Sequence, residues 1–219
     1  MEIIKRTIKG SPFVGVFSVI TDAVGLFPKY VEKKEIKGIE DILGVEVIRT
    51  NIANSSLLGV FIAGVGKKFI VPNIAEEREI EYLEEAGLKV KKIDASALGN
   101  LVALNENACI VSPLIESGET KEIKKFFRIN YYQRRVAGND LPGSSTVVTN
   151  KGFIVHPNVS EKEYKELKKL FNVHGTATTA NYGDPFVGND VVANSNGAIV
   201  GLYTSGHELI RIDEGLRGD

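Results

Sequence analysis

Cysteine is almost absent from this chain of 219 residues. Cys109 stands alone, so no internal disulfide can form, which fits a reducing compartment, and a cytoplasmic location is expected. Neither sign of charge is in excess. With 27 Lys and Arg against 28 Asp and Glu, the net charge is −1. A protein that grips nucleic acid chiefly through phosphates carries a basic surplus, so that role is excluded for the chain as a whole, though not for a local basic patch. No apolar run approaches the ~20 residues of a membrane span. The opening MEIIKRTIKGSPFVGVF lacks the apolar core of a secretory signal. There is no low-complexity segment, and the last three residues, Arg217-Gly218-Asp219, read as a frayed end.

Chemistry-bearing residues are also sparse. Cys109 lies in the apolar string ACIVSP, where burial raises a thiol pKa and leaves it inert. His156, His174 and His207 show no metal-binding spacing, such as two histidines one helical turn apart. Phosphate-loop spacing is missing as well; the string GVGKKF reads as a hairpin turn. No catalytic, metal or cofactor site is expected. The string YYQRR at 131–135 mixes aromatics with cations, but alternation in a strand splits them between two faces, and a solvated face is the plainer reading.

What the chain has is repetition. The hairpin string VVTNKGFIVHP at 147–157 returns as VVANSNGAIVG at 191–201. Apolar pairs end short runs at Leu26-Phe27, Ile70-Val71, Ile110-Val111, Ile154-Val155 and Ile199-Val200. Pro28, Pro72, Pro113 and Pro157 close four of them, because proline cannot donate to a ladder. Small-residue turns supply a second anchor: Ser11, Ser55, Gly99 and Gly143 are 44 residues apart, and Gly188 follows after 45. One helical pattern falls in each unit. In the fourth, Tyr164, Leu167, Leu170 and Phe171 share a face, and Ser160 with Glu163 reads as a capping box; Ser205 with Glu208 reads as another. A strand-like run follows four of the helices, at 45–50, 88–94, 128–136 and 171–179. The fifth run is missing, and EIIKRTI at 2–8 can replace it, closing a ring and removing open edges.

The expectation is an α/β protein of one domain, 1–219, with five units of about 44 residues at 11–54, 55–98, 99–142, 143–187, and 188–219 plus 1–10. Each unit reads strand, turn, strand, helix, strand.

At this point the chain resembles the translation initiation factor 6 family of archaea and eukaryotes. The resemblance rests on TNIANSSLLG at 50–59, SALGN at 96–100 and the two hairpins, and it spans nearly the whole chain. It implies the pentein fold, a five-bladed α/β propeller. It also implies a monomeric factor with no catalysis, which binds the large ribosomal subunit on its joining face. There it meets a ribosomal protein and adjacent rRNA, blocks the small subunit, takes part in large-subunit maturation and is released by other factors. The chain stops where archaeal members stop. It departs from the family's paired glycines at Ile52-Ala53-Asn54-Ser55-Ser56. The family's SALGN asparagine faces the large subunit, so the resemblance assigns that contact to Asn100. Gly99, Asn54, Ser55, Gly143, Ser144, Gly188 and Asn189 follow by repeat equivalence, all five turns being expected to crowd one end. Pentein enzymes acting on guanidino compounds, and a general RNA-binding propeller, are the alternatives. The first needs a nucleophilic cysteine, for which Cys109 is poorly placed.

Overall fold

The computed structural model describes residues 1–218, the side chain of Lys33 excepted; of the terminal tripeptide expected to fray, Arg217 instead ends the last helix and pairs with Asp213 at 3.4 Å, Gly218 caps it, and Asp219 lies outside the described residues. The first unit holds α1 (Val14–Phe17), β2 (Val19–Ile20), β3 (Gly25–Pro28), α2 (Lys33–Leu43) and β4 (Val47–Thr50), preceded by β1 (Glu2–Arg6). The second holds α3 (Leu58–Phe61), β5 (Ala63–Val65), β6 (Lys68–Pro72), α4 (Glu77–Glu85) and β7 (Lys89–Ile93). In the third come α5 (Leu98–Leu101), β8 (Val102–Leu104), β9 (Ala108–Val111), α6 (Ser117–Phe127) and β10 (Asn130–Gln133). The fourth has α7 (Pro142–Ser145), β11 (Thr146–Val148), β12 (Gly152–Val155), α8 (Glu161–Phe171) and β13 (His174–Ala177). The fifth ends the chain with α9 (Val187–Asp190), β14 (Val191–Ala193), β15 (Gly197–Gly201) and α10 (Gly206–Arg217).

Every unit thus runs one-turn helix, antiparallel hairpin, long helix, and a third strand parallel to the second. The described residues form five three-stranded sheets, an α/β arrangement with pseudo-fivefold repetition. In the last sheet the third strand is β1, which pairs parallel with β15 from Glu2 opposite Gly197 to Arg6 opposite Gly201.

The apolar pairs sit on the middle strand of each sheet, where both faces are buried. Alternation sends the two residues to opposite sides, and each side is a different core. Leu26 packs with Leu58, Ile80 and Leu83 of the second unit, while Phe27 packs with Ile36, Ile39 and Leu43 of its own. Ile70 meets Ile123 and Phe127 of the third unit; Val71 stays with its own helix α4. Ile110 and Ile154 repeat the step toward α8 and α10. Ile199 carries it around to α2 of the first unit. Each core therefore belongs to two units, and none to one alone. That is why these strands read as continuous apolar runs rather than as alternating ones.

Two details differ from the sequence reading. Ser160 accepts the Glu163 amide at 3.2 Å, but the Glu163 carboxylate does not return to Ser160; it accepts the Ala137 amide and pairs with Arg134. The Ser205–Glu208 box is complete. The strand expected at 128–136 stops at Gln133, so Arg134 and Arg135 lie beyond it, bonded to Glu166 at 2.7 Å and Asp140 at 2.7 Å.

Candidate functional site

The five one-turn helices begin where a strand has just ended and a hairpin is about to start. Their second residues are Gly15, Gly59, Gly99, Gly143 and Gly188. A Cβ added to Gly59 would collide with the carbonyl oxygen of Gly15, one on Gly99 with Gly59, one on Gly143 with Gly99, one on Gly188 with Gly143, and one on Gly15 with Gly188. The backbones touch in cyclic order, and the last touches the first. Only glycine allows that approach. The rim encloses a cavity of about 120 Å³, lined by the five glycines with Ser18 and Thr146 among others.

This geometry corrects the second sequence anchor. Gly99, Gly143 and Gly188 are equivalent to Gly15 and Gly59, not to Ser11 and Ser55. The true intervals are 44, 40, 44 and 45 residues, and the apolar pairs keep the same intervals. The third unit starts four residues early, because its entry turn is shorter. Antiparallel bridges Ile8–Ser11, Ile52–Ser55, Val136–Asn139 and Ala180–Asp184 mark the entry turns of the other four units. Asn54 and Ser55 belong to such an entry turn and lie outside the rim. Ala53 and Asn54 are both left-handed there, at φ 53° and 57°. Glu79 in the first turn of α4 holds them, accepting the Ala53 amide at 2.7 Å and the Asn54 amide at 3.0 Å. The Asn54 side chain is spent on Glu76 and Arg78, and Ser55 Oγ accepts the Leu57 amide at 3.2 Å.

Glu208 repeats the device in the fifth unit, accepting the Gly183 amide at 2.9 Å and the Ser205 amide at 2.7 Å, while Glu163 and Glu119 accept Ala137 and Asp94 amides. Sequence reasoning took two of these acids as capping residues and missed that they clamp a turn contributed by the preceding strand. Their own intervals, Glu79 to Glu119 to Glu163 to Glu208, are again 40, 44 and 45 residues.

The rim residues following the glycines are Val16, Val60, Asn100, Ser144 and Asn189. Ser144 is buried. Asn100 and Asn189 are half-exposed, and their side-chain amides make no hydrogen bond among the described residues. Beside Asn189, Asp190 is fully buried. Asn181 donates to its Oδ1, while Oδ2 has no partner among the described residues. Burial pushes this carboxyl up to about 7; the Asn181 bond opposes the shift, and Asp184 and Glu208 add to it.

At the opposite end, the hairpin turns form a second belt. Asn105 Nδ2 donates to Thr149 O and Phe171 O, both at 3.0 Å, and its repeat equivalent Asn194 donates to Thr21 O at 3.3 Å and Leu43 O at 2.8 Å. Each asparagine ties its own hairpin to the next unit's hairpin and helix end. GVGKKF forms the β5–β6 turn of this belt.

The remaining candidates stay apart. Cys109 is buried and its thiol is pushed up to about 12 by desolvation. His156 is buried, accepts the Asn158 amide at Nδ1 (3.1 Å) and is held below its usual range by burial; His174 and His207 are exposed elsewhere. The described residues contain no group of three His, Cys, Asp or Glu able to hold a metal. None of their helices is long and apolar enough to cross a membrane.

The profile of the eIF-6 family matches residues 3–215. The chain is 36% identical over 224 aligned positions to translation initiation factor 6 of Pyrococcus abyssi, covering 99% of each chain. It is 34% identical to translation initiation factor 6 of Staphylothermus marinus, covering 100% of this chain and 99% of that one. Among solved structures, a dimethylarginine dimethylaminohydrolase from Pseudomonas aeruginosa complexed with citrulline is similar at a TM-score of 0.43 and 16% identity, over 93% of this chain and 72% of that one.

Proposed function

The chain belongs to the eIF-6 family of translation factors, and from that premise we propose that it binds the large ribosomal subunit on its joining face and excludes the small subunit by occupying the same volume. No chemical step is required. Two bodies that cannot share a surface weaken each other's binding by linkage. Rigidity favours such a factor, because little ordering entropy is lost on docking.

The observation that carries the reading is the glycine rim. Five backbones locked in cyclic contact make a stiff, low-relief end, and Asn100 and Asn189 stand on it half-exposed, with side-chain amides that make no hydrogen bond among the described residues. Gly99, Gly143, Ser144 and Gly188 shape the platform around them. Asn54 and Ser55 enter this proposal only as a flanking turn. The cyclic contacts, with β1 completing the last sheet, favour a closed five-bladed pentein propeller in one domain. A role without catalysis is supported by the inert Cys109 thiol. The factor acts as a cytoplasmic monomer and aids large-subunit maturation until other factors release it.

Cosedimentation tests this. The parent pellets with purified large subunits, and added small subunits compete with it. Asn100→Arg, which puts a long cation on the rim without touching the core, abolishes pelleting. Pelleting with small subunits alone, or an Asn100→Arg variant that binds like the parent, overturns the assignment. A near-neutral chain also implies a shallow salt dependence, well short of the roughly 10³–10⁵-fold loss that 6–10 phosphate contacts produce between 50 and 200 mM salt.

A further inference from the structure

The repeat supplies its own control for surface charge. Where the third strand of one unit meets the long helix of the next, a groove opens to solvent. Between the second and third units it measures about 380 Å³ and is lined by Lys68, Lys89, Lys91, Lys125 and Arg128, with Phe126 and a single carboxylate, Glu122. The corresponding groove between the first and second units sets Lys29 and Arg49 against Glu46 and Glu85. Strand register makes the comparison residue by residue. Lys68 pairs with Lys89, and Ile70 with Lys91. The same three lysine positions hold Gly152, His174 and Thr176 in the fourth unit, and Gly197, Glu2 and Ile4 in the fifth. The fold builds this junction repeatedly without a lysine at any of them, so the architecture does not require three in one unit.

Part of the charge is already engaged. Lys68 Nζ donates to Phe126 O at 3.1 Å and Phe127 O at 3.2 Å, capping the C-terminus of α6, and Lys91 pairs with Glu122 at 3.1 Å. Lys89, Lys125 and Arg128 are exposed and have no ion-pair partner among the described residues. Five cations against one paired acid is a strong local field in a chain whose net charge is −1. We infer that this groove is an RNA-binding surface that grips backbone phosphates. Long flexible cations along an open groove suit a phosphate chain, which Lys and Arg grip as point charges and forks without reading sequence, and among polyanions RNA is the one a ribosome-associated factor meets. The inference rests on the family's association with the ribosome, not on which subunit is bound. The groove lies at the hairpin end, away from Asn100, so the two surfaces act independently and their variants combine additively.

The test is binding of a fluorescein-labelled RNA hairpin across a salt series. It compares the parent, a groove variant (Lys89→Gln, Lys125→Gln, Arg128→Gln) and a charge-matched control on α8 (Lys162→Gln, Lys165→Gln, Lys169→Gln). The groove variant keeps the internal bonds of Lys68 and Lys91 intact, and its circular dichroism and melting temperature match the parent's. Its affinity at low salt falls about tenfold, and its log–log salt slope flattens by about 0.7–0.9 for each phosphate that is no longer neutralised, while the control follows the parent. Equal losses in both variants, no RNA binding by the parent, or tighter groove-dependent binding of a poly-glutamate peptide would each overturn the inference. If the parent binds the hairpin through the groove yet fails to pellet with large subunits, the groove stands and the subunit assignment falls.

Discussion

Asp190 shows how a single side chain can set the pH response of the rim. In the unfolded chain its carboxyl ionises near 3.8; in the folded one it holds its proton up to about 7. Between those values the native state binds a proton that the unfolded state has released. The stabilisation is fully present below the unfolded value and is lost as pH rises through the folded one. His156 works the other way, since burial lowers its pKa and favours the native state as pH rises. Asp190→Asn separates the two. The new amide can still accept from Asn181 and never ionises. Urea midpoints from pH 4 to pH 8 should show the parent losing stability relative to the variant as pH rises, with the loss complete above about 7. Parallel pH profiles would mean that Asp190 is ionised in the native state throughout.

At the scale of elements, the one-turn helices were the part of the architecture that sequence left unread. Four residues are too few for a 3.6-residue period to appear, and strings such as LGVF, LGNL, PGSS and VGND share only the glycine. Their small residues were legible as turns. Their register was not, because Ser11 and Ser55 are true equivalents but the 44-residue step from Ser55 to Gly99 is a coincidence between two kinds of turn. The apolar pairs carried the right intervals all along, since strands buried on both faces tolerate no slip. Long helices were legible for the usual reason: Ile36, Ile39 and Leu43, or Leu167 and Phe171, repeat at helical spacing and are buried as expected. The turn-clamping glutamates were half legible, because a partner contributed by the preceding strand leaves no local spacing to read. Two substitutions separate a rim glycine from an ordinary one. Gly99→Ala places a Cβ against the Gly59 carbonyl and should destabilise by about 1–3 kcal/mol or more, as overpacking does. Gly118→Ala, in the first turn of α6 with open space around it, should stabilise by about 0.4–1 kcal/mol through unfolded-state entropy. Chemical denaturation of both variants checks this; equal and small effects would show that the rim has room to relax.

For the whole molecule, the decisive contacts are those between its two chain ends. Every core is shared by two units, so the first unit's helix α2 is covered by Val192 and Ile199 of the fifth. The N-terminal amine lies 2.7 Å from Asp213 on α10, and among the described residues β1 is the only strand on the open side of β15. Removing residues 1–6 would strip that edge, uncover Gly197–Gly201 and leave an unpaired strand able to recruit another chain. Connecting the ends should do the reverse. A circular permutant joining Gly218 to Met1 by a short glycine linker, with new termini opened between Gly66 and Lys67 in the β5–β6 turn, keeps all five cores and the whole glycine rim. It should unfold in one cooperative transition near the parent's midpoint, followed in parallel by far-ultraviolet circular dichroism and tyrosine fluorescence. The truncated chain should melt earlier and elute as larger species on size exclusion. A truncation that stays monomeric at the parent's melting temperature, or a permutant whose two probes diverge, would show that the junction between the fifth and first units is weaker than the other four.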